Sequence, residues 1–287
     1  MHTPRARAFA WYTAVLVGLT YALIVLGGVV RTTGSGDACP DWPLCHGRII
    51  PPAEPRVLLE YGHRLVAGGV GLMSVGAVVW AHRLSEPHGL RPLAWAALGL
   101  VVVQGLVGGV VVLSGLEDWS VVVHLGLALA VLAVLLALTF RASGVALRGG
   151  GLRPYVLLVL GTLYLLILLG GYVGASAAGL ACPDWPLCRG RLLPPSLPGV
   201  HVHFTHRVLA LVGLVLLAGL VVRSRSLGPV TRQAAHLAAA LYGLQVLVGA
   251  LNKWFLLHPA VVSLHLALAA LIWGAVVTVF CLEGAQT

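Results

Sequence analysis

Eight long apolar runs dominate this chain and leave it few ways to fold. They fall at roughly 10–30, 64–81, 92–113, 121–140, 154–173, 205–222, 234–251 and 260–281. A bilayer core needs about 20 consecutive apolar residues of helix. The runs are continuous rather than alternating, so they predict helices and not the strands of a barrel. Composition agrees: 59% of the 287 residues are hydrophobic and only 9% are charged. Soluble domains carry about 25% charge, and disordered chains are polar, so both classes are excluded. The first run follows Met1–Phe9, with Arg5 and Arg7. It is longer than a signal-peptide core, and 32–41 shows no persuasive cleavage site, so it is expected to be retained.

An even number of spans puts both termini on one side. One set of loops and ends carries Arg5, Arg7, Arg83, Arg91, Arg141, Arg148, Arg153, Arg223, Arg225 and Arg232 against Glu86 and Glu283 alone. The other set is nearly neutral. The positive-inside rule places the first set, and both termini, in the cytoplasm. The net charge of +9 therefore reports orientation in the cell membrane, and nucleic acid is set aside as a partner.

The chain also repeats itself. Gly27-Gly28 recurs as Gly170-Gly171, and Cys39-Pro-Asp-Trp-Pro-Leu-Cys45 as Cys182-Pro-Asp-Trp-Pro-Leu-Cys188, both at an offset of 143. Gly47-Arg48, Pro51-Pro52 and His63-Arg64 return in order as Gly190-Arg191, Pro194-Pro195 and His206-Arg207. Gln104 and His124 reappear as Gln245 and His265, at 141. Four spans per half preserve orientation, so the repeats are parallel, unlike those of inverted-repeat transporters. The expected fold is an all-α polytopic membrane protein of two four-helix bundles, 1–146 and 147–287, related by a pseudo-two-fold along the membrane normal. Gly27-Gly28, Gly108-Gly109 and Gly170-Gly171 permit close helix approach.

Twelve histidines outnumber nine acidic residues, although ionisable groups are costly in a membrane. His63, His124, His206 and His265 begin the second, fourth, sixth and eighth spans, at one depth below the outer surface. A lone intramembrane histidine is ordinarily a hydrogen-bonded helix contact. Four at repeat-equivalent positions suggest two bis-histidine haem sites, one per half. Zinc would want three or four ligands together. Arg64 and Arg207 follow their histidines directly and suit haem propionates, with snorkelling at the interface as the plainer alternative. Arg31, Arg48, Arg56, Arg189 and Arg191 share that outer side. His2, His46, His82, His88, His201, His236 and His258 lie in loops or near span ends and carry no special reading.

The halves differ at one telling position. Glu60 precedes His63 by one helical turn, and its counterpart is His203. A carboxylate beside one ligand pair alone is a candidate proton acceptor or charge stabiliser; a solvated helix-start residue is the plainer reading. Arg31-Thr32-Thr33 likewise becomes Gly174-Ala175-Ser176. Cys39, Cys45, Cys182 and Cys188 fall in outer loops, where disulfides are permitted. Three pairings are open, and redox-active or metal-binding roles remain beside a structural one. Trp42 and Trp185 suit interfacial anchoring. Cys281 stands alone near an inner span end.

Together Glu60-Tyr61-Gly62-His63-Arg64, the paired loop cysteines, the four-plus-four repeat and His124, His206 and His265 resemble the haem A synthase family over essentially the whole chain. The likeness is to its prokaryotic branch, which has loop cysteines, rather than the mitochondrial type. The resemblance implies two-step oxidation of a ring methyl of haem O to the formyl group of haem A, for terminal oxidases. It implies haem b on His206 and His265, and haem O as substrate between His63 and His124. Glu60 would stand at the reactive edge, stabilising a cationic intermediate or accepting protons. Haem O synthase is the implied upstream partner, membrane lipid the surroundings, and a homo-oligomer is compatible with the chain. The rival functions are a non-catalytic di-haem cytochrome b and a haem carrier.

Overall fold

The computed structural model describes residues 4–84, 89–147 and 149–284. Glu86, His88, Arg148 and His2 lie outside the described residues. Eight helices long and apolar enough to cross a membrane account for most of the rest. They are α1 (Pro4–Thr32), α2 (Pro55–Arg83), α3 (Leu90–Leu113), α4 (Asp118–Ala142), α5 (Arg153–Ala175), α6 (Val200–Arg223), α7 (Pro229–Trp254) and α8 (Pro259–Leu282). Among the described residues there is no strand, only isolated bridges between Cys45 and Arg48 and between Cys188 and Arg191.

Every expected span is present, but two helices reach further outward. α2 starts at Pro55 rather than near 64, and α6 at Val200 rather than near 205. Hydropathy marks where lipid ends, not where the helix ends. Pro55 is pre-organised for a first helical turn, and the helix continues through polar residues into the interface. His63 is consequently the ninth residue of α2, not its beginning, and Glu60 lies within the helix.

Helices α1, α2, α3 and α4 pack in a closed ring, each on its two neighbours, and α5, α6, α7 and α8 close a second ring. In such a ring α2 stands diagonally opposite α4, and α6 opposite α8. The rings join where α1 meets α8 and where α4 meets α5 and α8. Small residues make that join. Beyond Gly28 lies the side chain of Leu266, and beyond Gly171 that of Leu125, so close that a Cβ would stand 2.6 and 2.9 Å from a methyl. Buried Trp273 on α8 donates from Nε1 to the Leu129 carbonyl on α4 at 2.9 Å, and Thr32 and Ser263 pair their hydroxyls at 3.1 Å.

Polar staples recur in both halves. Tyr12 donates to the Met73 carbonyl and Tyr155 to that of Leu216, each at 2.8 Å and each pair 143 residues from the other. Without water in the hydrocarbon region, a phenol that finds a backbone carbonyl avoids a cost of several kcal/mol. The outward faces carry Leu72, Leu165, Leu211, Val215 and Leu247, all exposed, as lipid-facing surfaces require.

Candidate functional site: two histidine pairs beneath disulfide loops

Each half places two imidazoles on diagonal helices. His63 of α2 is within electrostatic reach of His124 of α4, and His206 of α6 within reach of His265 of α8. The structure thus brings together the pairs that sequence spacing suggested. Their Nδ1 atoms are closed to solvent, and all four lack a hydrogen-bond partner. Among the described residues no group of three or more His, Cys, Asp or Glu can hold a metal ion. Two neutral imidazoles across a bundle core, with no third protein ligand, fit a haem iron and do not fit zinc.

Two further side chains enter from α3 and α7. The Gln104 amide Nε2 lies 3.3 Å from His124 Nε2. The Oε1 atoms of Gln104 and of its counterpart Gln245 are buried without partners. The shared 141-residue offset of these glutamines and of His124/His265 was the signal for them; it also joins Gly108 to Gly249, a glycine that sequence reasoning passed over.

Above each pair sits a small loop closed by a disulfide, Cys39–Cys45 and Cys182–Cys188. All four cysteines are fully buried. Asp41 organises its loop by accepting from the backbone N–H of His46 at 2.6 Å and Gly47 at 2.7 Å. Asp184 accepts likewise from Arg189 and Gly190. The Gly47 N–H, then that of His46 and the Arg64 charge, outweigh desolvation and hold the Asp41 carboxyl below its ordinary value; Gly190, Arg189 and Arg207 do the same for Asp184. Trp42 comes to rest over Gly109 of α3, where a Cβ would stand 2.9 Å from its ring.

The arginines beside the histidines hold these loops. Arg64 donates from Nη1 to the carbonyls of Asp41 (2.7 Å) and Leu44 (2.5 Å), and from Nη2 to that of Cys39 (3.0 Å). Arg207 makes the matching bonds to Asp184, Leu187 and Cys182. The helical spacing that sets Arg64 next to His63 therefore fastens the loop to the ligand-bearing turn. Of the other arginines at the disulfide-loop end, Arg31 donates to the Ala175 carbonyl at 3.4 Å, Arg56 pairs with exposed Asp37 at 2.9 Å, and Arg48, Arg189 and Arg191 are exposed.

Glu60 is not a solvated helix-start residue. It is 3% exposed. Its Oε2 accepts the Cys39 N–H at 2.8 Å, and its Oε1 accepts Arg64 Nη2 at 2.6 Å. In the second half the Cys182 N–H donates to His203 Nδ1 at 3.4 Å, and that nitrogen lies 3.0 Å from the Ala178 carbonyl. One scaffold thus carries an anion above one histidine pair and an imidazole above the other.

Comparisons with known proteins give the family. A family model described as cytochrome oxidase assembly protein, COX15-CtaA, matches residues 10–59 and 53–277. A Heme A synthase of Symbiobacterium thermophilum is 34% identical over 268 residues, covering 88% of this chain and 87% of that protein. A Heme A synthase of Geobacillus kaustophilus is 30% identical over 284 residues, covering 93% and 89%. One from Alkalihalophilus pseudofirmus is 34% identical over 73% of each chain. The eight apolar helices and the kinship to Heme A synthases make this a multi-pass membrane protein of haem-related chemistry. The chain belongs to the COX15-CtaA cytochrome oxidase assembly protein family.

Proposed function

We propose that this protein is a haem A synthase, oxidising a ring methyl of haem O to the formyl group of haem A. The N-terminal half, 1–146, takes haem O as substrate between His63 and His124. The C-terminal half, 147–287, holds haem b on His206 and His265. The disulfide loops face the extracytoplasmic side, both termini face the cytoplasm, and a haem O synthase acts upstream. The kinship to proteins named Heme A synthase supports the activity. The single observation that supports this division of roles is the exchange of Glu60 for His203 on otherwise matched scaffolds.

Haem b, when bound, supplies a one-electron relay for a reaction that must remove electrons from a C–H bond. The protein's own residues do the rest. His63 and His124 orient the substrate ring, and the bundle core excludes water. Glu60, one helical turn before His63 and held by Arg64 and the Cys39 N–H, is the carboxylate placed to stabilise positive charge or to accept a proton. A proton arriving at Oε1 must displace Arg64, and one at Oε2 must displace the Cys39 N–H. Proton uptake at Glu60 is thereby tied to the grip on the loop.

A di-haem cytochrome b that only relays electrons would need the same four histidines but no carboxylate over one pair. The test is pigment extraction after co-expression with a haem O synthase. Hydroxylated or formyl haem in the extract is expected. Haem b and haem O alone, from correctly inserted protein, would refute the synthase reading.

A further inference from the structure

At every one of the four histidines the preceding helix presents a glycine to the imidazole edge. Gly27 of α1 faces His63, Gly108 of α3 faces His124, Gly170 of α5 faces His206 and Gly249 of α7 faces His265. A Cβ at those glycines would stand 3.1, 3.1, 2.8 and 3.1 Å from the ring Cε1. Carbon atoms prefer about 3.5–4.0 Å. Each ring therefore lies on bare backbone: a Cβ would be excluded at Gly170, and at Gly27, Gly108 and Gly249 it would push the ring back by a few tenths of an ångström.

A histidine that binds metal usually has its plane set by a hydrogen bond from its other ring nitrogen to a carboxylate, carbonyl or water. Here no Nδ1 makes such a bond with full hydrogen-bond geometry. The backbone carbonyls of Gln104, Leu166 and Gln245 are in polar reach of His124, His206 and His265. Each belongs to the residue one helical turn before the facing glycine. Rotation about the second side-chain torsion of histidine is otherwise loosely restrained. Packing against glycine, with that carbonyl in reach at three of the four rings, is what chooses the plane.

We propose that Gly27, Gly108, Gly170 and Gly249 are positioning residues that set the imidazole planes of the haem ligands, by seating each ring against the neighbouring helix, with the carbonyl one turn earlier in reach at His124, His206 and His265. The inference rests on the haem-ligand reading above. It goes further in giving the orientation of all four ligands one steric cause.

The adjacent glycine of the doublet is the control. A Cβ on Gly171 would also be crowded, at 2.9 Å, but by a methyl of Leu125 and not by an imidazole. The experiment compares full-length Gly170→Ala, Gly249→Ala and Gly171→Ala proteins purified with haem b. The readout is the low-spin ferric electron paramagnetic resonance signal, whose anisotropy follows the angle between axial imidazole planes, with haem b content per chain measured beside it. In Gly170→Ala and Gly249→Ala the largest g value shifts or haem b is lost, whereas Gly171→Ala keeps the parent signal. A parent signal in both Gly170→Ala and Gly249→Ala overturns the proposal. So does an equal disturbance in Gly171→Ala, which would mark general packing. If one variant fails to insert, the other still decides. His206→Ala separates the underlying reading: a bis-histidine signal that survives it would show that haem b sits elsewhere, whatever the glycines do.

Discussion

Replacing Glu60 separates what its carboxylate does for the loop from what it does for the reaction. Both oxygens accept from donors, the Cys39 N–H and Arg64 Nη2. A hydrogen bond to a charged group contributes about 1.5–3 kcal/mol. Breaking a buried pair by removing one partner costs about 3–5 kcal/mol. Arg64 keeps three backbone carbonyls and is 13% exposed, so its share lies at the low end. Glu60→Ala should weaken the loop by about 3 kcal/mol, on the order of a hundredfold in its opening equilibrium. Glu60→Gln is no silent isostere, because its amide can accept from one donor but must oppose the other; it should cost about 1.5 kcal/mol. Glu60→His reproduces the arrangement at His203, where an imidazole takes the cysteine N–H at 3.4 Å. It should restore part of the protection while removing the carboxylate. Hydrogen exchange at the Cys39 amide, measured by mass spectrometry in nanodiscs, reads the loop. Chromatography of extracted pigments reads haem A. Haem A formation should cease in all three variants with haem b retained, while exchange rises most in Glu60→Ala. If product instead tracked loop protection, so that Glu60→His made haem A at the parent rate, the chemical role would be refuted. Unchanged exchange at Cys39 in Glu60→Ala would refute the structural one.

Two further expectations follow from the same geometry. Trp273→Phe removes the α8-to-α4 hydrogen bond and leaves the Leu129 carbonyl without its extra donor; a loss of about 1 kcal/mol is expected, seen as a lower unfolding midpoint in detergent, and an unchanged midpoint would show that this bond does not help join the rings. Asp41 and Asp184 have carboxyls held below the ordinary 3.8, so their loop support is complete above that value and is lost as pH falls from it through the depressed one; protection of the Gly47 and Gly190 amides, taken as exchange relative to the intrinsic rate at each pH, should fall over that acid window, and Asp41→Asn should flatten the response at Gly47 while Gly190 keeps it.

Much of this protein is a local property of its chain. Eight apolar runs dictate eight helices because a bilayer offers no other partner for backbone polar groups. The repeat of His63, His124, His206 and His265 was legible because equal spacing on equal spans implies equal depth. The Glu60/His203 difference stood out against matched surroundings for the same reason.

Other features arise only when distant segments pack. The reach of α2 out to Pro55 escaped hydropathy, which senses lipid and not helix. Arg64 looked free for an anionic ligand until the loop 23 residues earlier folded onto its guanidinium. Of the three cysteine pairings open in sequence, folding brought together the partners within each loop. The glycine facing each histidine is likewise a product of helix packing. Gly249 is unremarkable in its own neighbourhood, and only the approach of α8 turns its missing side chain into a seat for His265. Composition and periodicity decide what a segment is, because they act through its own contact with lipid or water. Which atoms meet depends on rotation and depth of whole helices, and these are set by contacts between residues far apart in the chain.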